Sequence, residues 1–91
     1  MDALRKMTIM PAQRLEPRVP SMKSKGRLQV GADADVTIFD PATVIDRATY
    51  EDATIPSLGI PWVIVGGAVV VDAGKVTAAR PGRAVRGAVR N

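Results

Sequence analysis

Acidic side chains are the groups in this 91-residue chain whose spacing first invites a chemical reading. Asp33 and Asp35 lie two apart with Asp40 close behind, and Glu51 is followed directly by Asp52. A calcium loop needs oxygens converging on one ion, with a glycine at its sharp turn and a distal Glu. The run from Asp33 carries neither at that spacing. It reads as a turn acid, Asp33, and an acid at a strand start, Asp35, bonding nearby backbone N–H groups. Glu51 and Asp52 are sequence neighbours, which rarely converge on one substrate, and they read as surface acids. Ser21, Ser24 and Ser57 have no His to activate them, so a Ser-His-Asp mechanism is excluded. Lys23 and Lys25 lack the apolar neighbours that depress an amine pKa. There is no Cys, hence no disulfide and no thiolate metal site. Gly26, Gly31, Gly66, Gly67 and Gly74 do not have the spacing of a phosphate-binding loop. These readings assign no catalytic residue and no metal ligand.

Charge is distributed unevenly. Residues 1–30 hold seven basic and two acidic groups, residues 31–74 hold Arg47 against seven acids, and residues 75–91 hold five basic groups and no acid. Basic ends suggest nucleic acid or a membrane surface. Nucleic-acid modules interleave aromatics with their basic residues, whereas Phe39, Tyr50 and Trp62 all lie in the acidic middle. Solvated surface is the better reading, and nucleic acid is disfavoured as a partner. Arg80, Arg83, Arg86 and Arg90 recur at helical intervals, but Pro81, Gly82 and Gly87 interrupt the stripe.

The elements that must position these groups follow from periodicity. Residues 2–9 read as a short helix with Leu4 and Met7 near one face. Thr8 can cap a second helical piece with Pro11 in its first turn, followed by Ala12 to Leu15. Pro17 and Pro20 end any helix, and residues 16–26 have loop composition. Residues 35–40 alternate as a strand that Pro41 stops. Residues 42–60 read as a long surface excursion with one helical turn. Trp62–Val65, Gly66-Gly67 and Ala68–Val71 form the clearest signal, a hairpin whose two turn positions take positive φ at low cost. Residues 72–75 make a second tight turn, residues 76–77 a short third strand, and residues 78–91 an irregular tail. Trp62 and Phe39 are expected in a core between the hairpin and the strand at 35–40. A chain this size buries roughly 60–65% of its unfolded surface, so a partner surface is expected. No signal peptide or membrane span is legible, and the expected location is cytoplasmic.

Taken in order, these pieces resemble the C-terminal part of the amidohydrolase superfamily, nearest the N-acyl-D-amino-acid deacylase, or D-aminoacylase, branch. Arg5-Lys6-Met7-Thr8 and Pro11 to Leu15 resemble the last helices around the barrel. Lys25-Gly26-Arg27-Leu28, a two-residue spacer, and Gly31-Ala32-Asp33-Ala34-Asp35 resemble the return into a small β-domain. Asp40 to Val44, Arg47 to Glu51, Pro56-Ser57, Gly59-Ile60 and Ala79 to Arg83 resemble the deacylase branch more narrowly. Gly66-Gly67 stands where the family usually has Asn-Gly, and the basic, proline-rich stretch from Glu16 to Lys25 is longer than the family's linker.

The resemblance implies a mainly β chain with short N-terminal helices: a small antiparallel sheet, or half sandwich, of the composite β-domain, without the catalytic barrel. Residues 1–16 would be terminal helices of that barrel, 17–30 a linker, 31–78 the β-domain and 79–91 a basic tail. Gly26, Gly31, Asp33, Asp35, Trp62, Gly66 and Gly67 would be structural. Zinc serves the parent family, its ligands lying on barrel strands outside this chain. No cofactor is expected here. The expected partner is the missing barrel, or a second copy in a homo-oligomer. A stand-alone interaction module is the rival reading.

Overall fold

The computed structural model describes residues 1–87 of the chain. Two compact units are present: Met1–Asp35 together with the segment from Gly82, and Val36–Pro81.

The first unit opens with α1 (Asp2–Met7) and α2 (Ile9–Leu15). The two helices are separate, as the proline predicts. Pro11 is the third residue of α2, in the first turn, where a missing N–H costs nothing. The break falls at Thr8, whose backbone leaves the helical region at φ −125° and ψ −85°. Thr8 does not cap α2 with its side chain, contrary to expectation. Its hydroxyl donates back to the Leu4 carbonyl at 2.6 Å, closing the last turn of α1 instead. Helices of six and seven residues are marginal alone. Ala12, on α2, is the one buried hydrophobic among the described residues.

The loop expected over residues 16–26 contains a 3₁₀ helix, Pro20–Ser24. Pro20 was expected to end a helix and instead begins one, because its fixed φ suits the first helical position.

The second unit is a four-stranded antiparallel sheet in the order β1-β2-β3-β4, comprising β1 (Val36–Ile38), β2 (Trp62–Val65), β3 (Ala68–Asp72) and β4 (Lys75–Val76). This is the small antiparallel sheet with short N-terminal helices that the sequence implies. Val36 pairs with Ile64 and Ile38 with Trp62. The β2–β3 turn has Gly66 at φ 56° and Gly67 at φ 83°, both in the region that a type I′ turn requires. Val63 pairs with Val71 but Ile64 with Val69, so Val70 is the extra residue of a β-bulge on β3. Thr77 occupies the carbonyls there: its N–H donates to Val70 at 2.9 Å and its hydroxyl to Val69 at 2.7 Å. The third hairpin strand is Lys75–Val76, one residue earlier than expected.

The excursion between β1 and β2 is tied at its base. Ile45 and Leu58 exchange N–H···O bonds of 3.1 and 3.0 Å. Val44 donates to the Asp40 carbonyl at 2.9 Å, the expected single helical turn. Gly59 sits at φ 83°, and a Cβ there would lie 2.4 Å from the Val44 backbone. Trp62 and Phe39 depart from their expected core positions. They are 40% and 38% exposed, because three-residue β1 is too short to cover them. Among the described residues no barrel is found.

Candidate functional site

Two of the acids singled out by spacing converge on one cation. Asp33 and Asp35 each place Oδ2 2.8 Å from Nζ of Lys25. The loop between them is closed at its stem by the Asp33 N–H, which donates to the Ser24 carbonyl at 2.9 Å. A tight turn follows at its far end, where the Ala32 N–H donates to the Gln29 carbonyl at 3.1 Å and Gly31 takes φ 86°. The ammonium beside them holds the Asp33 carboxyl below its ordinary value. Hydrogen bonds to Asp33 and then Asp35 raise the Lys25 ammonium. Two carboxylates sharing one ammonium hold the loop shut and leave the cluster with one uncompensated negative charge.

Gly26 lets this stem approach the helices. At φ 68°, a Cβ there would lie 2.5 Å from the Thr8 carbonyl oxygen and 3.2 Å from the Ala12 Cβ. Only glycine fits both the conformation and the space. Arg27, next in sequence, donates from Nε to the Lys25 carbonyl at 2.9 Å and from its guanidinium to Glu16 and the Met22 carbonyl. One side chain thus joins the end of α2, the 3₁₀ helix and the loop.

The sequence places Asp33 in a turn and Asp35 at a strand start; in the structure Asp33 follows the turn that Gly31 and Ala32 close, and Asp35 lies one residue before β1. What the sequence missed is Lys25. The available signal was an opposite charge eight and ten residues upstream, with Gly26 and Gly31 able to turn the chain back.

The remaining candidates are local. Asp52 Oδ1 accepts the Thr54 hydroxyl at 2.6 Å and the Thr54 N–H at 3.1 Å. Those bonds hold Asp52 below its ordinary value, and Glu51 beside it is exposed. Asp40 Oδ1 accepts the Ala42 N–H at 2.9 Å, capping the turn after β1. The Ser24 hydroxyl donates to the Ser21 carbonyl at 3.1 Å. Ser57 borders an open 480 Å³ groove in the sheet unit, walled by Leu58, Ile60, Val63 and Val71, with Asp40 as its one acid. The Trp62 indole N–H donates to Asp72 Oδ1 at 3.3 Å across β2 and β3. Arg80 donates to the Thr77 and Ala79 carbonyls, both at 2.9 Å. Arg83 and Arg86 are exposed, and Arg90 of the arginine stripe lies outside the described residues.

A hydrolytic metal would need several open donors meeting at a point. Among the described residues no group of three such side chains is found, and the Asp33–Asp35 pair already holds an ammonium. These residues do not fit a zinc ion. Among the described residues, no helix is long and apolar enough to cross a membrane.

Comparison with known proteins places the segment. Residues 1–71 match the model of a family described as the amidohydrolase family. The chain is 45% identical over 84 residues to an N-acyl-D-glutamate deacylase from Alcaligenes xylosoxydans xylosoxydans, covering 92% of the chain and 16% of that protein. It is 41% identical over 81 residues to a D-aminoacylase from the same organism, covering 89% and 16%. An N-acyl-D-aspartate deacylase of that organism is 37% identical over 81 residues, covering 89% and 15%. The chain therefore spans about one sixth of the length of the curated relatives it matches. No solved structure matches it.

Proposed function

The chain belongs to the amidohydrolase family, and from that premise we propose that it is a structural β-domain segment of an N-acyl-D-amino-acid deacylase, inert by itself. The carrying observation is the mismatch in coverage. Three relatives named as deacylases align along about nine tenths of this chain and only 15–16% of themselves. The reaction of the whole enzyme would be hydrolysis of an N-acyl amide assisted by zinc, with the zinc held elsewhere. The chain has no His and no Cys to ligate it, and its paired carboxylates are engaged by Lys25.

The partner of this segment is the remainder of the deacylase polypeptide. Trp62 and Phe39 of the sheet unit are 40% and 38% exposed, which supports a covering surface supplied by another part of the polypeptide. Neither a membrane nor nucleic acid is needed to account for it, and we assign the segment to the cytoplasm.

The test is replacement. The matched segment of the N-acyl-D-glutamate deacylase is exchanged for this whole chain, and hydrolysis of N-acyl-D-glutamate is measured. The reading predicts a folded, active chimera. A folded chimera without activity would contradict it, as would hydrolysis by the 91-residue chain alone.

A further inference from the structure

We infer that the loop of residues 26–32 is a docking knob whose Leu28 and Val30 seat in an apolar socket on the rest of the deacylase polypeptide, an inference that rests on the reading just proposed. The loop combines two properties that seldom coincide. Its stem is fixed at several points, and its far end is apolar and open. Leu28 is 83% exposed and Val30 103%. A lone exposed Leu or Val is ordinary. Here the two stand two residues apart on a segment that Lys25 staples to Asp33 and Asp35. Arg27, between the stem and Leu28, is itself held by Glu16 and the Met22 carbonyl.

Such ordering has no return for the isolated chain, because neither apolar side chain is covered. It does have one on association. A segment already fixed in its bound shape loses little conformational freedom when it docks. Hydrophobic burial of both side chains is then realised almost in full. The socket must be apolar where it meets Leu28 and Val30; Arg27 beside them is paired with Glu16, and the one uncompensated negative charge of the Lys25–Asp33–Asp35 cluster lies at the stem.

The occupant is chosen by length. The relatives are about six times longer than the part matched here, so most of the polypeptide able to supply a socket is the part this segment does not match. A second copy of the chain is the alternative that the experiment separates.

The test is amide hydrogen exchange at Leu28, Gln29 and Val30, compared between the whole chain alone and the same chain carried in the deacylase chimera. At least tenfold slower exchange in the chimera is expected, with no concentration dependence in the free chain. Equal rates in both would overturn the inference, and so would protection that appears in the free chain as its concentration rises. Activity is scored separately. An inactive chimera with a protected loop would sink the deacylase reading and leave the docking intact. An active chimera with an unprotected loop would do the reverse. The double substitution Leu28→Asp with Val30→Asp should leave the circular dichroism of the free chain unchanged and lower the chimera's Tm by several degrees. An unchanged Tm would count against the knob.

Discussion

The Lys25 ammonium sits 2.8 Å from Oδ2 of Asp33 and closes the loop that leads from the helical unit toward the sheet. Asp35 completes the arrangement at the same distance. The consequence for pH follows from the two directions of shift. Asp33 is held below its ordinary 3.8, so its contribution is complete above about pH 4 and is lost as pH falls through the depressed value. Lys25 is held above its ordinary 10.5, so its contribution is complete below that pH and is lost as pH rises through the raised value. Amide protection at Asp33 should therefore be flat between about pH 4 and 10 and fall on either side. After correction for intrinsic exchange, Lys25→Met should lower protection across that plateau, erase the alkaline edge and shrink the acid edge, part of which the hydrogen bond to Ser24 retains. An acid edge undiminished in Lys25→Met would contradict the assignment.

Gly26→Ala should be among the most damaging single-atom changes in the helical unit. The added carbon would meet the Thr8 carbonyl oxygen at 2.5 Å with the backbone at φ 68°. Strain of that kind costs about 1–3 kcal/mol before any clash is relieved. Gly31→Ala is the comparison, since it shares the positive φ but has nothing within 4 Å. Urea denaturation of both variants should show Gly26→Ala with the clearly lower midpoint.

Ala73→Gly should stabilise the chain. Ala73 holds φ 49° in the turn between β3 and β4 and is the one non-glycine residue at positive φ among those described. An alanine there costs about 1–2 kcal/mol against a residue without Cβ, partly offset by the greater freedom of glycine when unfolded. The expected net gain is about 0.5–1 kcal/mol in thermal or urea denaturation. A lower Tm would refute the turn geometry.

Gly66→Asn should be neutral or stabilising by a few tenths of a kcal/mol, since asparagine tolerates positive φ and suits the first position of a type I′ turn. Gly66 takes φ 56° with nothing within 4 Å of a Cβ. Gly66→Val should instead destabilise by about 1–2 kcal/mol, because a β-branched residue is a poor fit there. Equal stability of the two variants would contradict the hairpin assignment.

Local signals were legible where one residue type settles the conformation. Gly66-Gly67 between β-branched runs marks the hairpin, Pro11 marks the division of the helices, and Pro41 marks the end of β1. Features that depend on distant partners were not. Nothing about residues 25, 33 and 35 in isolation shows that their charges meet, because loop closure decides it. Pro20 reads as a helix stop in the sequence yet opens the 3₁₀ helix, because proline both stops and starts helices and the choice is made by what precedes it. The bulge at Val70 escaped because an unbroken valine run has no alternation to interrupt. Trp62 and Phe39 look like core by composition, yet this chain supplies too little sheet to enclose them. The candidate site followed a similar division: the missing imidazoles and thiols were plain in the sequence, while the ion cluster that engages the acids was not.

The central claim, that this segment supports an amidohydrolase without performing its chemistry, is tested most directly by a hydrolysis assay. Purified chain is incubated with N-acyl-D-glutamate at equimolar and excess zinc, and release of the free amino acid is followed. The account predicts a rate equal to the protein-free control at every zinc concentration. Zinc-dependent turnover that co-purifies with the chain would contradict it.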